Sequence, residues 1–244
     1  MKLNEKLNNI INQKKWYKID NTNYNSAGLL LERILGIEKN DLPIPDYGDT
    51  ELKTKFNDSL YDMTLFHAAP DSYLFEIKRI YNTYGYPSPS NNDDRVFLSS
   101  FSCTKITQLG INIAAKLFID WESQKLVLKF YNFSTNTIDD KVSWSFEMLK
   151  QKLELKLKKL CYVYVERKYI DKKMYCKFYK YIMYEYKGFE SFFKSLQYGH
   201  ICVKFCINTF KSGKKIGQMH DHGTCFDIDL EKINDVFTKI EEAG

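Results

Sequence analysis

The sequence predicts an α/β protein. Short apolar runs of strand length alternate with segments of helical period. At 244 residues the chain exceeds the roughly 100–200 residues of one ordinary domain, and a hydrophobic share of 44% supports a real core. This is enough for one large domain or two lobes.

Residues 3 to 17 carry Leu7, Ile10, Ile11 and Trp16 near helical spacing and predict a first helix; Lys14, Lys15 and Lys18 favour its C-terminal end. Asn25 to Gly36 predicts a short helix closed by Gly36. Pro43 and Pro45 then fix an extended approach, Tyr47-Gly48-Asp49 makes a turn, and Thr50 to Thr54 reads as a strand. Leu60 to His67 is a second strand, expected beside the first, and residues 71 to 83 are helical. Tyr84 to Asp94 reads as a loop. Val96 to Phe101 and Ala114 to Trp121 are strands, and the latter turns through residues 121–124 into a hairpin partner at Lys125 to Tyr131.

A helix starts at Ser143-Trp144-Ser145-Phe146 and runs through Leu157, with Met148, Leu149, Leu153 and Leu157 as its buried stripe. Lys150, Lys152, Lys156, Lys158 and Lys159 read as its solvated face. Leu160 to Glu166 is a strand. Tyr175 to Tyr186, rich in Lys and Tyr, fits a strand or a helix with snorkelling lysines and receives no function. A helix near 188–197 precedes a strand at His200 to Ile207.

Net charge is +5 with pI near 8.7, mildly basic and compatible with a polyanionic partner. No secretory signal is legible, and no apolar run approaches the roughly 20 residues of a membrane span. A soluble, cytoplasmic protein without a membrane partner is expected. The six cysteines contain no C-x-x-C pair, so they read as reduced thiols and not as a disulfide frame or zinc site.

The most chemical stretch is Pro45-Asp46-Tyr47-Gly48-Asp49-Thr50-Glu51-Leu52-Lys53. Strand alternation puts Glu51 and Lys53 on one face, and the turn lets Asp46 fold back beside Glu51. Two carboxylates are hard oxygen ligands suited to Mg²⁺, which binds through one or two of them plus phosphate and waters. The Lys53 amine sits where it can hold a water or a phosphate charge. Together these are the parts of metal-assisted phosphodiester hydrolysis. Glu32, on the preceding helix, is a further carboxylate able to approach. The bland reading is a solvated strand face and an exposed helix carboxylate.

A second stretch runs from Lys211 to Asp229. Lys211, Lys214 and Lys215 on a glycine-flanked loop can neutralise phosphates, and His220, Asp221 and His222 can donate or accept at base edges. His-x-His also suits zinc, but no third His or paired Cys stands at ligand spacing. His67, at the edge of its strand, faces either nucleic acid, the metal site or structure.

Gly28-Leu-Leu-Leu-Glu32 followed by Pro45-Asp46, four residues and Glu51-Leu-Lys53 resembles the PD-(D/E)xK nucleases, in the branch that joins the mismatch-repair nicking enzyme MutH to the MvaI/BcnI restriction endonucleases. Residues 120–124 (Asp-Trp-Glu-Ser-Gln), 144–146 (Trp-Ser-Phe), 212–215 (Ser-Gly-Lys-Lys) and 220–224 (His-Asp-His-Gly-Thr) resemble blocks of that restriction branch in the same order. The resemblance implies a PD-(D/E)xK restriction-endonuclease-like core of mixed β-sheet flanked by helices, with a second, DNA-recognition lobe. Residues 1–110 would be mainly catalytic and 111–244 mainly recognition, in one chain whose lobes are free to interleave.

It further implies a monomer that clamps double-stranded DNA, recognises a five-base-pair site of the CC-N-GG kind and cuts the strands one at a time. A cognate DNA methyltransferase would be its functional companion. Asp46 and Glu51 would bind Mg²⁺, Lys53 would act on water or phosphate, and Glu32 would support them. The 211–224 segment, Thr224 included, would contact DNA, with His220 and His222 reading bases. Asp227 departs from the pattern, which has a basic residue after the Phe, so exact base preference does not transfer. A MutH-like nicking enzyme and a non-catalytic DNA-binding module are the alternatives; the first cuts one strand of hemimethylated DNA, and the second leaves plasmid intact.

Overall fold

The computed structural model describes residues 2–19, 26–38, 42–59, 62–89 and 91–244, with side chains described for all of these except 73, 74 and 91–93. Asn25 of the expected second helix, Leu60 and Tyr61 of the expected second strand, and Ser90 lie outside the described residues.

In chain order the elements are α1 (Leu3–Asn12), β1 (Tyr17–Ile19), α2 (Ser26–Leu35), β2 (Thr50–Phe56), β3 (Met63–His67), α3 (Tyr73–Tyr84), β4 (Tyr86–Ser88) and β5 (Asn91–Phe101). Then come β6 (Thr107–Gln108), β7 (Ile113–Asp120), β8 (Lys125–Asn132), β9 (Thr137–Ser145), α4 (Phe146–Lys156), β10 (Lys159–Ile170) and β11 (Lys173–Tyr186). The chain closes with α5 (Phe189–Gln197), β12 (Ile201–Thr209), β13 (Met219–Ile228), α6 (Ile233–Val236) and β14 (Phe237–Ala243). The mixed α/β class is as the sequence predicts.

The chain divides into two compact units. One takes residues 1–61, 152–188 and 234–244; the other takes 62–151 and 189–233. Each unit draws residues from both sides of position 110. The cause is strand pairing: late strands complete an early sheet, so each unit is discontinuous in sequence.

In the first unit the sheet order is β1-β11-β10-β2, with β14 also on β11. β2 runs parallel to β10, aligning Glu51 with Leu160 and Lys53 with Tyr162, while the remaining pairs are antiparallel. Asp171 and Lys172 both take positive φ (49° and 60°) and form the two-residue hairpin between β10 and β11. Leu52, Cys161, Val163 and Val165 pack from one face onto Leu7, Ile10, Leu30 and Leu31 of α1 and α2. Alternation therefore turns Glu51, Lys53 and Tyr162 to the other face. The first helix is shorter than expected. Lys14 (φ 49°) ends it, and Tyr17 joins β1, while Trp16 lies under Lys168 (4.0 Å) and Lys177 (5.2 Å).

The second unit holds two sheets, ordered β3-β13-β12-β5-β4 and β6-β7-β8-β9. β3 pairs with β13 and not with β2, because Phe66 stacks on Phe226 across that pair, with centroids 4.7 Å apart. The expected loop at 84–94 contains β4 and the start of β5; Pro87 is tolerated because β4 is an edge strand. Ser143-Trp144-Ser145 belongs to β9, and α4 begins only at Phe146. Leu149, Leu153 and Leu157 are fully buried, as the stripe predicts. The cysteines are all free thiols; burial pushes Cys103, Cys161 and Cys176 up to about 12, so they are unreactive at neutral pH. Among the described residues no helix is long and apolar enough to cross a membrane.

Candidate active site and nucleic-acid interface

The candidate centre of the first unit is built on one turn. Gly48 takes φ +61°, and Tyr47 and Thr50 exchange two backbone hydrogen bonds of 3.0 Å, so the chain reverses directly into β2. The reversal brings Asp46 back to the strand, where its Oδ2 accepts the Leu52 N–H at 2.8 Å. Asp46 and Glu51 thus share the mouth of one strand, and their charges act on each other.

Glu51 is buried to 1% exposure, unusual for a carboxylate. Its Oε1 accepts Lys53 Nζ at 2.7 Å and faces Lys156 Nζ at 3.3 Å. Its Oε2 is buried and finds no hydrogen-bond partner among the described residues. Burial pushes the Glu51 carboxyl above its ordinary value; Lys53 pulls it back, the Asp46 charge pushes it up, and Lys156 pulls it back. An orphaned carboxylate oxygen beside a second carboxylate fits a hard divalent cation. Among the described residues no group of three His, Cys, Asp or Glu side chains is placed to hold a metal, which leaves two carboxylates, the ligand count Mg²⁺ commonly uses.

Two lysines that the sequence reading left on a solvated helix face belong here instead. Lys156 ends α4 and reaches Glu51, while Lys159 starts β10 and pairs with Asp49 at 2.9 Å, holding that carboxyl below its usual range. Neither had a signal in sequence, since both positions depend on β10 pairing with β2 across about a hundred residues. Glu32 is half-buried on α2, which packs on the Leu52 side of the sheet, whereas Glu51 projects from the other side.

The second unit gathers the other candidates on β13 and the loop before it. Lys211, Lys214 and Lys215 are exposed on the β12–β13 connection, shaped by Gly213 (φ +79°) and Gly217 (φ +80°). His220 stacks on Phe210 with centroids 4.0 Å apart at 13°, and His222 lies 4.0 Å from His220. Burial and then His220 hold His222 below the ordinary imidazole value, opposed by Asp221. His222 is therefore neutral at pH 7 and offers one donor and one acceptor.

Asp221 Oδ1 accepts the Gly223 N–H at 2.9 Å, and Gly223 takes φ +91° where β13 shifts register on β12. A Cβ on Gly223 would stand 3.1 Å from His67 Cδ2, so His67 is brought to the His220–His222 segment. Gly223→Ala is expected to lose about 1–2 kcal/mol, from the left-handed backbone and the crowded imidazole, readable as a lower Cm in urea.

Two residues on this strand turn inward. Thr224 is 1% exposed and faces inward with Phe226, so its hydroxyl is not presented at the surface. Asp227, the departure from the family pattern, is buried too; it accepts Thr64 Oγ1 at 2.7 Å and pairs with Lys204 at 3.0 Å.

Fold and centre together describe a site-specific endonuclease of the restriction type. The model of the MvaI/BcnI restriction endonuclease family matches residues 4–237, nearly the whole chain, and the chain belongs to that family. Among solved structures it is similar to a restriction endonuclease MvaI–cognate DNA substrate complex, with TM-score 0.86 and 29% identity over 99% of this chain and 96% of that one. It is also similar to restriction endonuclease MvaI in the absence of DNA, with TM-score 0.60 and 28% identity over 98% and 95% of the two chains. No curated protein matches.

Proposed function

We propose that this type II restriction endonuclease hydrolyses phosphodiester bonds of double-stranded DNA at a short site of the CC-N-GG kind, with Mg²⁺ as cofactor, one strand at a time. The observation that carries the chemistry is Glu51: a buried carboxylate with one oxygen on Lys53 and the other without a partner among the described residues, beside Asp46. Asp46 and Glu51 hold the cation, which when bound supplies Lewis-acid activation of water and stabilises the leaving oxygen. Lys53 orients the attacking water or meets a phosphate oxygen, while Glu32, on the helix that packs against the opposite side of the sheet, is given no part in the centre.

Duplex DNA as ligand is supported by the MvaI structure with cognate DNA and by the exposed lysines of the β12–β13 loop. Lys211, Lys214 and Lys215 neutralise phosphates, His67, His220 and His222 read base edges, and Asp221 fixes the backbone beneath them. The protein acts as a cytoplasmic monomer with a cognate methyltransferase that protects host DNA.

Incubation with unmethylated phage DNA and Mg²⁺, followed by sequencing of fragment ends, tests this reading. Discrete ends at one short sequence are expected; intact DNA would remove the enzyme reading, and nicks confined to hemimethylated DNA would replace it with the repair type. His220→Ala and His222→Ala are expected to cost about 1–3 kcal/mol at the cognate site with little change on random DNA. Equal loss on both substrates would reassign the histidines to phosphate contact.

A further inference from the structure

Lys53 and Lys156 both place an ammonium on Glu51 Oε1, at 2.7 and 3.3 Å, while Oε2 has no partner among the described residues. Two ammonium groups thus meet on one carboxylate oxygen, with Lys53 the nearer of the two. Their settings differ. Lys53 rises from the same strand face as Glu51, two residues away, whereas Lys156 reaches it from the last residue of α4, a different element; their side chains are similarly exposed, 26% and 29%. Asp46, Glu51, Lys53 and Lys156 sum to zero formal charge. With a divalent cation counted they carry two positive charges, which match the two negative charges of a phosphodiester under attack.

We propose that Lys156 is a second phosphate-binding lysine of the cleavage centre, resting on Glu51 in the free protein and turning to a non-bridging oxygen of the scissile phosphate when DNA is bound. The proposal rests on Asp46 and Glu51 being the cation site. A dication and two ammonium groups cannot all crowd one buried carboxylate without strong repulsion. Lys156, the more distant of the two and carried on a helix end, is the group that leaves. A plain counter-ion role for Lys156 predicts no dependence on the charge of the DNA phosphate.

The test uses the full-length protein with Ca²⁺ as the probe cation and two duplexes carrying the sequence found at its own fragment ends. One is unmodified, and the other has a neutral methylphosphonate at the scissile position. Lys156→Met is expected to weaken binding of the unmodified duplex about tenfold, the scale of one charge-assisted hydrogen bond, and of the methylphosphonate duplex less than about twofold. Lys156→Arg, which keeps the charge, should restore most of the loss. In the absence of DNA, Lys156→Met should also bind Tb³⁺ more tightly, read by its luminescence, because one competing cation has gone.

Equal weakening of both duplexes, or of neither, overturns the proposal, and so does failure of Lys156→Arg to recover phosphate-dependent binding. If Lys156→Met does not fold, the comparison is made with Lys156→Gln and the same outcomes decide. Full cleavage by a Glu51→Gln protein would instead overturn the cation site itself. The two failures are thus separable.

Discussion

Glu51→Gln is expected to abolish cleavage, by at least about a thousandfold, while leaving cognate DNA binding within severalfold of the parent. The substitution keeps shape and an acceptor for Lys53, but removes the charge that a cation needs. Single-turnover cleavage in Mg²⁺ measures the first half of the expectation, and a binding titration in Ca²⁺ measures the second. The same protein should melt at a higher temperature than the parent, because Glu51 is a buried carboxylate with one oxygen unsatisfied among the described residues. A variant that is both dead and less stable would mark Glu51 as a structural anchor. Dead and more stable is the signature of a group kept for chemistry.

Trp144→Ala should unfold the second unit under conditions where the parent stands. Trp144 is fully buried, packs edge-on to Phe226 at 5.8 Å and on Phe205 at 6.2 Å, and donates Nε1–H to the Ala68 carbonyl at 2.9 Å. Removing it leaves a large cavity and an unpaired carbonyl, for about 3–5 kcal/mol against a typical total of 5–15. Urea unfolding followed by near-ultraviolet circular dichroism reads the loss. A change below about 1 kcal/mol would mean that the aromatic cluster repacks around the gap. Trp144→Phe should recover most of the packing but not the hydrogen bond.

The local part of this architecture was legible in the chain. Leu149, Leu153 and Leu157 announce their helix by spacing, Gly36 closes α2 at φ +75°, and Pro45-Asp46 with Tyr47-Gly48 announces a reversal into a charged strand. What could not be read depends on partners remote in sequence. Thr224 and the histidines before it look alike as text; the register shift at Gly223 decides which face each side chain takes. Tyr86-Pro87-Ser88 has loop composition and becomes a strand only because β5 runs beside it. Lys156 and Lys159 gained meaning in the same way, once β10 lay against β2.

That parallel pair carries a consequence for the living cell. Among the described residues Glu51 sits on a strand whose neighbour in the sheet, β10, begins at Lys159, so the first 150 residues emerging from a ribosome lack the strand that aligns the carboxylate. A chain cut short upstream of Lys159 is therefore expected to show no cleavage of duplex DNA.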